Sequence, residues 1–270
     1  MHALTYRSIW ISDVHLGARD AKIEFLLDFL RHTESEHLYL VGDIIDFWKL
    51  RSGWYWPAVN NELVRLVMKK ARHGTRVVYV PGNHDELLRD YPDTYLGGIH
   101  VALEAVHDLA DGRRFLVLHG DEFDCVVMNS AWLARGGSHV YELTLRLNRW
   151  SNLLRRKLGF PYWSLSAYLK HRVKQAVNYI GSFEDAVVKA ARQRGVEGVI
   201  CGHIHHAAIS DFAGVVYCNT GDWVESCTAL AEESDGTLKL IHWADESATL
   251  LDERALHAHS DHIGRLAAAG

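Results

Sequence analysis

The chain has 270 residues, of which 48% are hydrophobic and 23% are charged, and its net charge is −5. This composition is typical of soluble globular proteins, and the length suffices for one large domain or one domain with an insertion. No apolar run reaches about 18 residues and the start lacks a secretory pattern, so we expect neither a membrane span nor a signal peptide. The four cysteines have no C-x-x-C or disulfide-framework spacing, which favours buried thiols in a reducing, cytoplasmic setting. They are Cys125, Cys201, Cys218 and Cys227.

Five short apolar runs predict buried β-strands, at residues 8–11, 38–41, 77–80, 115–118 and 199–201. A motif rich in carboxylate, imidazole or carboxamide groups follows each run. In chain order the motifs are Asp13-Val14-His15, Gly42-Asp43-Ile44-Ile45-Asp46, Gly82-Asn83-His84-Asp85, His119-Gly120-Asp121 and Gly202-His203-Ile204-His205. In an open α/β sheet the carboxyl ends of the strands gather along one edge, where ligands bind. The five motifs therefore predict one polynuclear metal site.

The segments between the strands indicate the fold class. Apolar residues at helical spacing predict helices at 23–32 and 61–73. Alternating strands and helices predict a mainly parallel inner sheet. After Gly198, short strands separated by turns predict an antiparallel second sheet or an extension of the first. They lie at 209–211, 215–219, 227–231 and 238–243.

The stretch between the fourth and fifth motifs has a different composition. Residues 130–182 hold nine Lys or Arg and one acid, which gives a net charge of +8, and eight aromatic residues. We interpret about 125–182 as a helical cap inserted into a main domain at 1–250, and 251–270 as a flexible tail. Amphipathic helices often simply pack on their own domain. The cations would also suit an anionic ligand or peripheral contact with an anionic membrane.

The five motifs together resemble the calcineurin-like metallophosphoesterase superfamily, whose pattern is D-x-H, G-D-x-x-D, G-N-H-D/E, H and G-H-x-H. The resemblance covers about residues 7–230. It implies an α/β fold arranged as a four-layer αββα sandwich, and hydrolysis of phosphoester or pyrophosphate bonds with two divalent metal ions. Each motif alone is weak evidence, because Asp and Asn also form turns and histidines are also hydrogen-bonded in protein cores.

The resemblance also implies the roles of individual residues. One metal ion would be held by Asp13, His15 and His205, the other by Asn83, His119 and His203, with Asp43 between them. His84 would be catalytic, contacting a phosphate oxygen or protonating the leaving oxygen; the alternative is that it orients Asp43 or a water. Asp46 and Asp121 would not bind metal themselves; they would hydrogen-bond to the ligands or be structural. Asp85 would begin the next helix, where a carboxylate is favourable.

The local spacing suits this division of ligands. In D-x-H and H-x-H on an extended backbone, residues i and i+2 project to the same side. The glycines before Asp43, Asn83 and His203 would permit tight turns. The mixture of nitrogen and oxygen ligands suits Mn, Fe, Zn, Co or Ni, and the affinity order alone does not choose among them. The resemblance to bacterial lipid-precursor enzymes favours manganese.

Other features resemble the UDP-2,3-diacylglucosamine diphosphatase family, which releases UMP and a lipid sugar 1-phosphate during lipid A synthesis. They are the insertion, the run from Val41 to Trp48, and Gly221-Asp222-Trp223-Val224-Glu225. Cations of the cap would then bind substrate: Arg155, Arg156, Lys157, Lys170 and Lys174. The well-studied branch has Gly-Asn-Arg-Asp where this chain has His84, and Gly-His-Thr-His-Arg-Pro at the fifth motif. The chain therefore resembles a sister branch.

Two other classes of function stay open. One is a metallophosphoesterase acting on another phosphodiester, a nucleotide or a phosphoprotein, although protein phosphatases usually carry Gly-Asn-His-Glu rather than the motif with Asp85. The other is a non-catalytic metal-binding scaffold, against which the intact His84 argues. We expect a phosphorylated small molecule or glycolipid as substrate. Nucleic acid is not expected, because the chain is acidic and lacks a broad basic footprint. The sequence gives no indication of the oligomeric state.

Overall fold

The computed structural model describes residues 3–124 and 165–245, and of residues 165–175 it describes the backbone. The described residues form two β-sheets and four α-helices. The helices are α1 (Ile23–His32), α2 (Phe47–Ser52), α3 (Ala58–Arg72) and α4 (Leu165–Arg194). The strands are β1 (Leu4–Ile11), β2 (Thr33–Val41), β3 (Arg76–Val80), β4 (Tyr95–Leu96), β5 (Ile99–Val101), β6 (Ala105–Asp108), β7 (Arg114–Val117), β8 (Gly198–Cys201), β9 (Ala208–Phe212), β10 (Val215–Asn219), β11 (Thr228–Glu232) and β12 (Leu238–His242). Short 3-10 turns occupy Glu86–Asp90 and Asp121–Phe123.

The first sheet has seven strands in the order β12-β11-β1-β2-β3-β5-β4, and the second has five in the order β6-β7-β8-β10-β9. The centre of each sheet is parallel, from β1 through β5 in the first and from β7 through β10 in the second. For the strands near the C-terminal end, the sequence predicted either a second sheet or an extension of the first, and both occur. β9 and β10 belong to the second sheet, and β11 and β12 extend the first.

The five motifs follow strands of both sheets, which corrects the expectation of a single sheet edge. The first three motifs follow β1, β2 and β3 of the first sheet. The last two follow β7 and β8 of the second sheet. A metal site built from all five motifs therefore depends on the packing of the two sheets and not on one row of strand ends.

The hydrophobic core holds the two sheets together. One cluster joins Trp10 and Val80 of the first sheet to Phe115 and Ile200 of the second. A second cluster covers the other face of the first sheet with apolar side chains of α1 and α3, including Phe29. A parallel sheet buried on both faces needs continuous apolar strands, which explains the apolar runs in the sequence. The predicted fold class is confirmed as mixed α/β with two sheets and helices.

The described residues divide into two compact units. The first runs to Asp121 and resumes at Ala190, and the second extends from Glu122 to Lys189. Of the expected cap at 125–182, residues 125–164 lie outside the described residues, as does the expected tail at 251–270. The described remainder of the cap belongs to α4, and the domain boundaries stay a prediction.

The described cysteines lie inside the protein. Cys201, Cys218 and Cys227 are buried, as predicted for the first two from their apolar strands. Burial raises the pKa of the Cys218 thiol well above its usual value. No described helix is both long enough and apolar enough to cross a bilayer.

A buried ionic cluster around Glu232 connects the two sheets. Glu232 of β11 accepts hydrogen bonds from Arg7 Nη1 and Ser8 Oγ of β1, each at 2.6 Å. Its carboxylate also lies 2.9 Å from His107 Nε2 of β6, in the second sheet. Burial would raise the pKa of Glu232, but the surrounding hydrogen bonds, first of all that with His107, lower it to about 2. The ionised carboxylate therefore stabilises the contact between the sheets.

We expect Glu232→Gln to lower the free energy of unfolding by about 3 kcal/mol at neutral pH, as when one partner of a buried ion pair is removed. The lowered pKa fixes the pH dependence. The stabilisation is complete above the ordinary value of 4.5 and is lost as the pH falls through about 2. Urea unfolding at several pH values measures the difference between the two proteins. The control is Glu233→Gln, which removes a surface pair with Lys239. A difference for Glu232→Gln that does not shrink in acid would contradict this account.

Candidate metal centre

Backbone hydrogen bonds connect the motif loops to one another. The N–H groups of Asp13 and His15 donate to the carbonyl oxygens of Gly42 and Asp43, at 3.0 and 2.9 Å, so the first two loops run side by side. The His203 N–H donates to Asp13 Oδ2 at 3.0 Å, which joins a loop of the second sheet to one of the first. These bonds position side chains from both sheets around one point.

Five motif residues other than glycine adopt the left-handed backbone region. The φ angles are 52° for Asp13, 53° for His15, 54° for Asp43, 71° for His203 and 53° for His205. The expectation of an extended backbone at D-x-H and H-x-H was therefore wrong. Left-handed residues other than glycine are uncommon and cost on the order of 1 kcal/mol or more each, and they concentrate at functional sites. The tight loops still bring the paired side chains together.

Three groups of His and carboxylate side chains place candidate ligand atoms within 4.8 Å of one another. The groups are Asp13, His15 and His205; Asp13, Asp43 and His119; and His15, Asp46 and His84. Five of the seven predicted ligands occur in the first two groups. Among the described residues His203 is outside these groups, but its ring centroid lies 5.2 Å from that of His119.

Asp43 lies at the centre of these groups. Its Oδ1 accepts the backbone N–H of His84 at 2.8 Å. Its Oδ2 lies 3.4 Å from His119 Nε2, 3.9 Å from His84 Nε2 and 4.0 Å from His15 Nε2. Burial would raise the pKa of Asp43, but the hydrogen bond with His119 and the charges of His119 and His84 hold it well below its usual value. An ionised oxygen facing three imidazoles suits a carboxylate shared between two cations.

The hydrogen bonding of His119 and Asn83 fits a divalent metal ion. The Nδ1 of His119 lies 3.0 Å from the Val41 carbonyl oxygen, a contact that fixes the ring and leaves Nε2 directed at the site. His119 Nε2 is buried and faces the Asp43 carboxylate at 3.4 Å, and within the described part of the chain Asn83 Oδ1 is buried without a hydrogen-bond partner. Burial by itself lowers the pKa of His119, but Asp43 raises it to about 10. The site therefore has excess negative charge that cations would neutralise.

A model of the calcineurin-like phosphoesterase family matches residues 6–207, most of the chain. The chain belongs to this family. It is therefore a metal-dependent hydrolase of phosphoester bonds. Family membership implies divalent metal ions, and the candidate ligand groups are suited to hold them.

Curated relatives of this calcineurin-like phosphoesterase are named UDP-2,3-diacylglucosamine hydrolase. The one from Pseudomonas paraeruginosa is 28% identical over 239 residues, which cover 84% of this chain and 95% of the relative. The one from Porphyromonas gingivalis is 29% identical over 119 residues, which cover 41% of this chain and 44% of the relative. Among solved structures, a mutant of Vps29 from Entamoeba histolytica is 14% identical, with a TM-score of 0.40, and the match covers 87% of this chain and 96% of that one.

Asp46 contacts two histidines of this phosphoesterase. Its Oδ2 lies 3.3 Å from His15 Nδ1 and its Oδ1 lies 3.1 Å from His84 Nδ1. Oδ1 also accepts the Lys49 N–H at 2.8 Å, which caps α2. Burial would raise the pKa of Asp46, but its hydrogen bonds with His15 and His84 hold it well below its usual value. Asp46 thus turns the Nε2 atoms of both rings toward Asp43. From the sequence, Asp46 was expected only to support the ligands from outside the metal site or to be structural.

We expect Asp46→Asn to weaken metal affinity or lower turnover by about 10–100-fold, the usual effect of removing a group that orients a metal-binding histidine. The helix cap should survive, because Asn caps helices as well as Asp does. Metal titration of bis-p-nitrophenyl phosphate hydrolysis measures the change, and a thermal melt checks the fold. The matched control is Asp28→Asn, whose carboxylate contacts His32 in α1. Wild-type metal affinity and turnover in Asp46→Asn would rule out the orienting role.

The structure corrects the prediction for Asp85. It precedes the Glu86–Asp90 turn, but its buried carboxylate is used elsewhere. It accepts the N–H groups of Ile44 at 2.7 Å and of Asp43 and Ile45 at 3.3 Å. Asp85 therefore fixes the loop that carries Asp43 and does not cap a helix. A carboxylate three residues after a loop glycine was the only signal of this role in the sequence.

The glycines of the motifs serve two purposes. Gly42 has a φ of +77°, so the predicted tight turn is present there. Gly82 and Gly202 are needed for space, because a Cβ at Gly82 would collide with the side chains of Asp43 and His119. At Gly202 it would collide with those of Ser12 and Asp13. A larger residue at either position would displace candidate ligands.

Two further side chains border the candidate site, and both belong to segments that carry the family resemblance, although no role was predicted for either. The ring centroid of Trp48 lies 4.2 Å from that of His84, and the Trp48 side chain is half exposed. Asp222 Oδ2 lies 3.9 Å from His205 Nδ1. Asp121 pairs with Arg89 at 2.6 Å, which agrees with its predicted structural role.

The predicted substrate-binding cations lie outside the residues whose side chains the structure describes. Arg155, Arg156 and Lys157 lie outside the described residues. Lys170 and Lys174 belong to α4, in the part whose backbone alone is described. Their roles therefore stay predictions.

Proposed function

We propose that this phosphoesterase hydrolyses the pyrophosphate bond of UDP-2,3-diacylglucosamine and releases UMP and a lipid sugar 1-phosphate. The observation that carries the proposal is the similarity to the Pseudomonas paraeruginosa hydrolase named for that substrate, which extends over 84% of this chain. The candidate metal centre supplies the chemistry that such a reaction needs. The basic, aromatic cap supports an anionic lipid as substrate.

The proposed metal ligands come from all five motifs. They are Asp13, His15 and His205 for one ion, Asn83, His119 and His203 for the other, and Asp43 as the bridge. We favour Mn²⁺, and Fe, Zn, Co and Ni also suit the ligand set. When bound, two divalent ions neutralise charge on the phosphoryl oxygens and supply a nucleophile at neutral pH.

His84 is the proposed catalytic residue. The Asp46 carboxylate beside its Nδ1 sets the orientation of the ring. Its Nε2 then faces the region around Asp43 Oδ2, 3.9 Å away. About a fifth of the side chain is exposed to solvent, so a substrate can reach it. An N–H donor at this position would bind a phosphoryl oxygen or give a proton to the leaving oxygen.

We also propose that the cap cations bind the substrate and contact an anionic membrane surface. Replacing Arg155, Arg156 and Lys157 together with Gln should raise the KM for UDP-2,3-diacylglucosamine about tenfold, a loss of about 1.4 kcal/mol of binding. The kcat/KM for bis-p-nitrophenyl phosphate should change little, because this small diester reaches only the metal centre. The matched control replaces three exposed cations of α3, Arg65, Lys69 and Arg72, with Gln. Equal losses on both substrates would reject the proposed role of the cap.

The test of the proposed function is a Mn²⁺-supplemented assay with UDP-2,3-diacylglucosamine and bis-p-nitrophenyl phosphate in parallel. Release of UMP by the wild type, and not by Asp43→Ala purified in the same way, is the expected result. Nitrophenol release without UMP release would discard the lipid substrate and keep the phosphoesterase. That outcome would favour the second candidate function, hydrolysis of another phosphodiester or nucleotide, which the histidine at position 84 supports.

A further inference from the structure

The indole ring of Trp48 packs against the ring of His84. The two ring centroids lie 4.2 Å apart and the ring planes are tilted by 34°, so the rings meet largely face to face. Trp48 belongs to α2, in which no residue is fully buried, and 48% of its own surface is exposed. Burial in the core therefore does not account for a tryptophan at this position, whereas its contact with the proposed catalytic histidine does.

The start of α2 is anchored to two loops of the candidate metal centre. Asp46 caps the helix, and its N–H donates to the carbonyl oxygen of Leu16, in the loop of the first motif, at 2.9 Å. The Phe47 N–H donates to the carbonyl oxygen of His84 itself at 3.1 Å. Trp48 is the next residue, so its indole ring is held at a defined position relative to the backbone of His84.

The side chain of His84 is bounded by protein on three sides. Asp46 Oδ1 lies 3.1 Å from its Nδ1. The ring of His15 meets it edge to face, with the centroids 4.7 Å apart and the planes at 89°. Trp48 covers a face of the ring. The remaining nitrogen, Nε2, faces the region around Asp43 Oδ2, 3.9 Å away.

A contact with Nδ1 alone leaves the orientation of a histidine ring poorly defined. The torsion that turns the ring is broad, because it joins an sp³ carbon to an sp² carbon. Asp46 Oδ1 also accepts the Lys49 N–H at 2.8 Å, so His84 shares this acceptor. An aromatic surface packed on the imidazole restrains this rotation, because tilting the ring away loses the contact between the rings. A misplacement of about 1 Å can cost about a hundredfold in rate, so the restraint should matter for turnover.

We propose that Trp48 is a positioning residue for phosphoester hydrolysis, which acts through His84 by holding the imidazole with Nε2 directed at the substrate. Asp46 and Trp48 are two residues apart, so the capped start of α2 supplies both the polar and the aromatic contact. The inference rests on the proposed catalytic role of His84 and is independent of the identity of the lipid substrate.

The first test measures turnover of bis-p-nitrophenyl phosphate. Trp48→Ala should lower kcat about tenfold, equivalent to about 1.4 kcal/mol, with the bound metal at the wild-type level. Trp48→Phe should recover most of the turnover, because it restores an aromatic face. The matched control is Trp54→Ala, which removes an exposed tryptophan whose ring centroid lies 6.2 Å from that of Trp56 and should keep wild-type kcat. Wild-type kcat in Trp48→Ala would overturn the inference.

A double-mutant cycle tests whether Trp48 acts through His84. In the His84→Ala background, Trp48→Ala should have no further effect on kcat. If the two losses multiply, Trp48 acts independently of His84, and the inference is overturned while the role of His84 stands. If His84→Ala keeps wild-type turnover, both the role of His84 and the inference are overturned.

Nuclear magnetic resonance of the histidine rings, in protein loaded with diamagnetic Zn²⁺, gives a readout that does not depend on activity. The face of an indole shields the protons of a ring stacked on it. The ring protons of His84, assigned by their loss in His84→Ala, should therefore resonate upfield of their usual positions. Trp48→Ala should move them downfield, and Trp54→Ala should not. Unchanged His84 resonances in Trp48→Ala would show that the two rings are not in contact, which would overturn the inference.

Discussion

Asp43→Ala is expected to lower turnover of bis-p-nitrophenyl phosphate by a factor on the order of 10³ or more. Asp43 Oδ2 faces the Nε2 atoms of His15, His84 and His119, so its removal takes away the shared carboxylate of the proposed site. Metal ions supply several kcal/mol of transition-state stabilisation, and each 1.4 kcal/mol or so corresponds to a tenfold change in rate. The bound metal, measured by plasma mass spectrometry, should fall in parallel.

Two variants test whether the loss of turnover comes from misfolding or from the removal of any carboxylate. Asp43→Asn preserves the shape of the side chain and removes its charge, so it should lose metal without disturbing the fold. Glu24→Ala removes an exposed carboxylate of α1 and should leave both activity and metal content unchanged. Full turnover by Asp43→Ala would show that the ligand assignment is wrong.

His84→Ala is expected to lower turnover by about 10²–10⁴-fold, the usual contribution of a positioned proton donor. The bound metal should stay at the wild-type level, because His84 is assigned to the substrate and not to the ions. Burial lowers the pKa of His84, but the Asp46 and Asp43 carboxylates raise it above its ordinary value. A raised pKa keeps the ring protonated to higher pH, and activity should fall once the pH exceeds that pKa.

The matched control for His84 is His100→Ala, because His100 also contacts a carboxylate, that of Asp93 at 3.5 Å. It belongs to β5, and none of the five motifs directly follows that strand. His100→Ala should keep turnover and pH profile. If His84→Ala loses its metal together with its activity, His84 is a ligand; if it keeps its activity, the proton donor is another group. Either result would reject the proposed role.

The sequence predicted the elements that local patterns determine. α1 begins and ends at the predicted residues, Ile23 and His32, because its apolar spacing is regular. β10 also matches its predicted bounds, Val215–Asn219. Which strands pair was not predictable from these patterns, since β7 and β8 have apolar runs like those of β1 and β2 and yet form a different sheet. The division of the site between two sheets is a property of tertiary packing.

In the candidate site too, the sequence motifs predicted which residues take part, but not the contacts between distant loops. The family resemblance carried by the five motifs implied roles for Asp13, His15, Asp43, His119 and His205, and the structure brings these side chains together. The roles of Asp46 and Asp85 were not visible, because each depends on contacts with loops distant in sequence. The left-handed backbone was missed for a similar reason, since Asp and His tolerate this region better than most residues but contacts between neighbouring loops hold the backbone in it.

The most direct test of the proposed binuclear centre is an anomalous-scattering map from crystals of the wild-type protein loaded with Mn²⁺. We expect two peaks about 3.5–4 Å apart, the usual separation in two-metal sites, with the Asp43 carboxylate in contact with both. Asp13, His15 and His205 should surround one peak, and Asn83, His119 and His203 the other. A single peak, or two peaks that Asp43 does not touch, would contradict the account.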